Sequence, residues 1–249
     1  MIYKLGVQYS VFGDYSNIES TLETIDSLSV LIKENNFILS TIPEHDIFIP
    51  NKINKRISLV TEDSMLVINI LSNRIDLYLN ATSLEGLSST DTESFTIKAP
   101  TVFKTILDVF NKSAYRLAYI TNDFLLDLTE EQKDAFYKKI FNKIQYFSSK
   151  QLVEWSSMLN LRDTVKICDR EEAINIIATL STTTTFYNGL HNGLNQLPIQ
   201  KTGFHITQDI NTVQENTGIR FVANHVESFI NETNPINSNI LNELQSLEK

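Results

Sequence analysis

Residues 56–80 read RISLVTEDSMLVINILSNRIDLYLN, and this stretch decides the fold class. It divides into three runs, 56–61, 65–71 and 74–80, dense in the branched and aromatic side chains that suit a pleated surface. The joints are short and polar: Glu62, Asp63 and Ser64, then Ser72 and Asn73. Joints this short connect antiparallel neighbours, because a parallel crossover needs roughly a dozen residues or more. The stretch is therefore an antiparallel meander.

Working outward, Ile2, Leu5, Val7, Tyr9 and Val11 predict a first strand ending at Gly13. A helix is expected from Asn17, because Ile18, Leu22, Ile25, Leu28 and Ile32 recur at helical spacing. Residues 37–40 and 46–49 read as extended around Pro43, and 81–97, rich in Ser, Thr and acids, as a surface connection. A second helix follows Pro100, with Val102, Ile106, Val109 and Phe110 as its buried side. Residues 114–126 are extended and apolar. Thr129 then opens a helix, with Gln132 in capping-box spacing and Phe136, Ile140, Ile144 and Phe147 on one face. Residues 151–159, 165–168, 173–187 and 203–213 are candidate strands. A helix over 218–231 turns Phe221, Val222, Val226, Phe229 and Ile230 inward, and Ile240, Leu241, Leu244 and Leu247 mark a short terminal helix.

The expected fold is α+β: a largely antiparallel sheet with its helices on one side, in two similar halves that each run strand, helix, antiparallel strands, helix. The halves span 1–112 and 113–235, and 236–249 is the terminal helix of one compact unit. This order resembles the duplicated TATA-binding-protein-like fold, which implies one curved sheet with helices on its convex face. Its DNA-binding function does not carry over, since a basic, intercalating concave surface is missing here. The meander, the helix over 102–110 and the block Leu117-Ala118-Tyr119-Ile120-Thr121-Asn122 resemble a sporadically distributed, uncharacterised bacterial family of about this length. Ala118 stands where that family has an arginine, so no role of that arginine transfers. The resemblance implies a bacterial setting and, from the sporadic distribution, antiviral defence.

The chain has 249 residues, a formal charge of -9 and 42% hydrophobic residues, enough to bury a core. Residues 1–124 hold 15 acids against 10 bases and residues 125–249 hold 15 against 11, so no basic half offers a footprint for a phosphate backbone. Nucleic acid is disfavoured as the primary ligand. Cys168 is the single cysteine, which excludes an intramolecular disulfide framework and any zinc site needing two thiolates. No apolar stretch is long enough for a membrane span or secretory signal, so a soluble, cytoplasmic protein is expected. The 24 asparagines resemble AT-rich bacterial coding.

Neither GxGxxG nor GxxxxGK occurs, nor do GxSxG, HExxH or an EF-hand loop. The candidate metal set is His191, His205, Asp209 and His225, because neutral imidazole and carboxylate both bind divalent cations. A Gly/Asn-rich hairpin loop with ordinary surface histidines accounts for the same residues, and no metal or other cofactor is expected. Glu44, His45 and Asp46 read as a solvated turn, and Cys168 as an incidental thiol among Asp169, Glu171 and Glu172. Lys139, Lys143 and Lys150 form a basic stripe, and Tyr137, Phe141 and Tyr146 deviate from the apolar stripe of the same helix. Lys139, Lys143, Tyr137, Phe141 and Tyr146 are thus the candidates for partner contact. The expected function is a non-catalytic protein-binding subunit or scaffold, acting with a protein partner or as a homo-oligomer. A small-molecule-binding module, or a hydrolase with a site between the halves, is the alternative.

Overall fold

In the computed structural model, which describes residues 2–45, 52–141, 154–187, 190–191, 194–195 and 199–246, the first strand of the chain lies in the middle of its sheet. Strand β1 (Ile2–Phe12) pairs with β5 (Arg74–Asn80) on one side and β6 (Arg116–Leu126) on the other. Beyond β5 lie β4 (Leu66–Ile70), β3 (Ile53–Val60) and β2 (Ile38–His45), which confirms the meander and extends its first strand by three residues. Beyond β6 lie β11 (Ile199–Thr212), β8 (Arg170–Tyr187) and β7 (Ser156–Ile167). The nine-stranded order is β2-β3-β4-β5-β1-β6-β11-β8-β7, antiparallel throughout. A small separate hairpin joins β9 (Leu190–His191) to β10 (Leu194–Asn195). The helices are α1 (Leu22–Ser27), α2 (Ser29–Glu34), α3 (Ser89–Val109), α4 (Glu130–Phe141) and α5 (Ala223–Ser246).

Strand alternation puts the core on one face. Val7, Tyr9 and Val11 lie opposite Leu79, Leu77 and Ile75 on β5, and opposite Thr121, Tyr119 and Leu117 on β6. All are buried. The Tyr9 ring stacks between Tyr119 at 4.9 Å and Phe95 of α3 at 5.4 Å, and its hydroxyl donates to Asn234 Oδ1 of α5 at 3.0 Å. Phe136 of α4 packs on Phe204 of β11 at 4.9 Å, again on this face. Leu28 and Leu31 of the α1–α2 pair join the same core. Among the described residues, no helix covers the opposite face.

Four expectations need correction. The segment before Pro100 is helical: Ser88 and Asp91 form a capping box that starts α3, and Pro100 sits inside it. Only Phe95 and Ala99 anchor the first half of α3, so its polar composition reads as a loop, while Val109 is exposed. The first helix starts later, where Thr21 accepts from Thr24 N–H, and breaks at Leu28; Leu22 is 82% exposed rather than inward. The strand readings over 151–159 and 165–168 merge where described into one strand, β7, which holds Arg162 and Asp163 at the sheet edge, while residues 151–153 lie outside the described residues. Finally, the last two helices are one: α5 runs through Pro235, its buried stripe carried across the gap by Thr233 and Asn237 instead of apolar residues, and Val222 lies exposed before it.

Candidate functional site

The helix-free face is built on one transverse row. Strand register places Ser40, Ser58, Asn69, Asp76, Ser10, Ala118, Asn211, Asn175 and Arg162 side by side, one from each strand. From Ser58 to Asn175 each points away from the core because its chain neighbours point into it, as Ile75 and Leu77 do around Asp76, and the edge residues Ser40 and Arg162 continue the row by register. Eight of the nine are polar. Ser58 donates to Asn69 Oδ1 at 2.8 Å, Asn175 Nδ2 to Asn211 Oδ1 at 3.3 Å, and Arg162 Nε to Asn175 Oδ1 at 3.3 Å.

Asp76 is the hub and is fully buried. Its Oδ1 accepts from Ser10 Oγ at 2.6 Å and Gln8 Nε2 at 3.2 Å, and its Oδ2 from Arg74 Nε at 2.8 Å and the Tyr78 hydroxyl at 3.0 Å. Burial, followed by the Asp76 charge, pushes the Tyr78 hydroxyl up to about 12. A carboxylate with four donors in place is an acceptor fixed in one orientation. Around the row lie half-buried side chains, among them Phe12 beneath the Arg116 guanidinium at 4.7 Å, Ile120, and Phe124 edge-on to His205 at 5.2 Å. The arrangement can dock a broad surface and hold its own polar groups fixed while doing so.

On the helical side, a cleft of about 450 Å³ opens between α3 and α5, with Lys4 and Tyr119 in its lining alongside Thr96, Asn234 and Asn237. Lys4 Nζ donates to Asn237 Oδ1 at 3.2 Å and stands 3.9 Å from Asp123, too far for a hydrogen bond. Both Asp123 oxygens are buried without hydrogen-bond partners among the described residues, as are both amide atoms of Gln208 on the next strand. Burial raises the Asp123 carboxyl above its ordinary range, with Lys4 opposing; burial likewise lowers Lys4, with Asp123 opposing. A wider cleft, about 600 Å³, lies under α4 and is lined by Lys133, Tyr137, Trp155, Thr182 and Gly203. Its acids pair with lysines of the same helix, Glu130 with Lys133 and Asp134 with Lys138.

The residues singled out in the sequence scatter over this frame. His205 and Asp209 lie on the helix-free face of β11, whereas His225 sits at the start of α5 on the other side of the sheet, its Nδ1 accepting from Val222 N–H at 3.0 Å. These three therefore do not converge, and burial lowers the His205 imidazole. His191 falls on β9, and its side chain lies outside the described residues, as does that of Phe141 at the end of α4. Lys143, Tyr146, Lys150 and Asp46 also lie outside them. Lys139 is exposed on α4, but Tyr137 is only 5% exposed and packs on Trp155, whose ring centroid is 5.9 Å away, so it belongs to the chain's own packing rather than to a free contact surface. Glu44 is not in a solvated turn: it lies on β2 and accepts from Arg56 Nε at 2.6 Å, Ser72 N–H at 3.0 Å and Ser72 Oγ at 2.8 Å. Cys168 is exposed in the β7–β8 turn with φ 53°, its N–H donating to Ser228 Oγ at 2.8 Å.

The polar row itself is invisible in the sequence. Each member occupies an ordinary alternating strand position, and only the sheet register brings the members together. No known protein family matches the chain, and no curated protein is significantly similar to it.

Proposed function

We propose that this chain is a non-catalytic protein-binding subunit of a multi-protein bacterial assembly, built from two similar α+β halves and engaging its partner through the helix-free face of the sheet. One observation carries this reading: a nine-stranded face without a covering helix among the described residues, whose central polar groups are already hydrogen-bonded. A face prepared in this way loses little side-chain freedom on docking, and its half-buried Ile120 and Phe124 supply apolar contact. The two-halves reading draws on the strand order, in which β1 and β6 pair at the centre and the strands that follow each lie outward of it. Affinity isolation from the source cells, followed by the mass of the intact assembly, tests the proposal. The expected result is a protein partner retained by the native chain and lost from an Ile120→Glu variant that melts normally.

A small-molecule module is the competing reading, favoured by the α3–α5 cleft over Lys4. A monomer that carries a co-purifying ligand, or that shows turnover, would replace the protein-binding reading with that one.

A further inference from the structure

The two edges of the sheet are not alike. β2 carries Pro43 opposite Lys55, and a proline on an edge strand removes a main-chain donor and blunts pairing with another chain. β7 has no proline. Its register to β8 is continuous from Ser156 opposite Ser181 to Ile167 opposite Arg170, without a bulge. Its outer main-chain groups face no strand among the described residues. Along this edge Met158, Leu159 and Leu161 are 69%, 61% and 60% exposed, an arrangement that water tolerates poorly and that soluble proteins otherwise guard with charge or proline.

We propose that β7 is the seam of a two-fold homodimer, with two copies of this chain pairing antiparallel about Asn160. The sequence around Asn160 is self-complementary in this register. Leu159 lies opposite Leu161 of the second copy and Leu161 opposite its Leu159, so four leucines close over one another on the helical side of a continuous sheet. Arg162 then faces Met158 and Asp163 faces Ser157, so no like charges meet. Neighbouring registers forfeit this: an axis at Leu159 sets Leu161 against Ser157, and an axis at Leu161 sets Leu159 against Asp163. Arg162 is already held on its own chain by Glu215 at 2.8 Å and by Asn175, which keeps its guanidinium off the seam.

The inference shares with the proposed function only the premise that the chain assembles. The seam is an edge and not the helix-free face, so the two fail separately. The purified 249-residue chain should show a native mass twice its 28.4 kDa, and Leu159→Lys with Leu161→Lys should bring that mass to the monomer's without altering the far-ultraviolet circular dichroism. The register is read in a Cys168→Ala background. Asn160→Cys should cross-link chain to chain under mild oxidation, since directly opposed Cα atoms lie about 4.5–5.5 Å apart, within disulfide reach. Ser156→Cys should not, since it and its copy would lie about 27 Å apart at ~3.4 Å per residue. An Ile120→Glu variant should keep the dimer. A native monomer, a dimer that survives both lysines, or Ser156→Cys cross-linking as readily as Asn160→Cys would each overturn the proposal.

Discussion

Replacing Asp76 with asparagine tests whether the hub of the polar row supports the fold. The carboxylate accepts two donors on each oxygen: Ser10 at 2.6 Å and Gln8 at 3.2 Å on one, Arg74 at 2.8 Å and Tyr78 at 3.0 Å on the other. An asparagine has one oxygen and one NH₂ in the same space, so either orientation turns a donor toward two donors. Hydrogen bonds to a charged group contribute about 1.5–3 kcal/mol each, and a stranded buried donor costs about 1–3 kcal/mol. Two of these donors have relief, because the Arg74 side chain is 40% exposed and the Tyr78 hydroxyl can rotate. The net loss expected for Asp76→Asn is therefore about 2–3 kcal/mol rather than the sum. With a urea slope of about 3 kcal/mol/M, the denaturation midpoint should fall by about 0.7–1 M at unchanged slope. Ser10→Ala, which leaves three donors in place, should cost about 1 kcal/mol. A midpoint shift for Asp76→Asn no larger than that for Ser10→Ala would show that the network is solvated and not structural.

At Gly203 an added Cβ would collide with the Leu125 carbonyl oxygen, so Gly203→Ala should lower stability by about 2 kcal/mol or more in the same urea assay, despite stiffening the unfolded chain. Burial pulls the Glu44 carboxyl upward, but its bonds from Ser72 and Arg56 outweigh that and hold it below its ordinary value of 4.5. Its contribution is thus complete above 4.5 and fades as pH falls through the lower folded value; stability curves of the native chain and Glu44→Gln should converge on acidification below pH 4.5, and parallel curves would refute the assignment. Asp123 has the opposite sign, since burial lifts its carboxyl above 3.8 and ionisation weighs against the folded state as pH rises through 3.8 toward the folded value. Asp123→Asn should therefore raise stability at neutral pH by about 1 kcal/mol and have no such effect well below pH 3.8, as thermal melts at the two pH values would show.

The sheet was legible wherever local chemistry and register agree. The joints Glu62-Asp63-Ser64 and Ser72-Asn73 permit only one pairing, and the structure has it. The capping pair Thr129 and Gln132 also stands as read, Gln132 N–H donating to Thr129 Oγ1 at 3.2 Å and Thr129 N–H to Gln132 Oε1 at 2.9 Å. What escaped depends on burying polar groups. α3 begins eleven residues before Pro100 on a Ser–Asp cap, and α5 continues past Asn231 because Thr233 bonds back to the Phe229 carbonyl at 2.8 Å and Asn237 donates to Thr121 at 3.0 Å. A periodicity count over apolar residues sees neither. The convergence sought among histidines failed for a plainer reason: strand parity and helix packing send His205 and His225 to opposite sides of the sheet.

Strand register also separates, on the proposed reading, the residues of the helix-free face that would serve binding from those that serve folding. A one-residue slip in β5 would drive Asp76 into the hydrocarbon between sheet and helices and expose Ile75 and Leu77, so the buried polar row selects one register over its neighbours. Its members are thereby committed to the fold. On the proposed reading, recognition falls to the half-buried side chains around the row, such as Ile120, Phe124 and Arg116, which occupy the same face but are not needed to fix the register. The division is measurable: substitutions in the row should lower the unfolding free energy and weaken partner binding only as far as they unfold the chain. Substitutions around it should leave the urea midpoint in place and weaken binding directly. If Ile120→Glu and Asp76→Asn moved both quantities in the same proportion, the face would have to be a structural surface throughout.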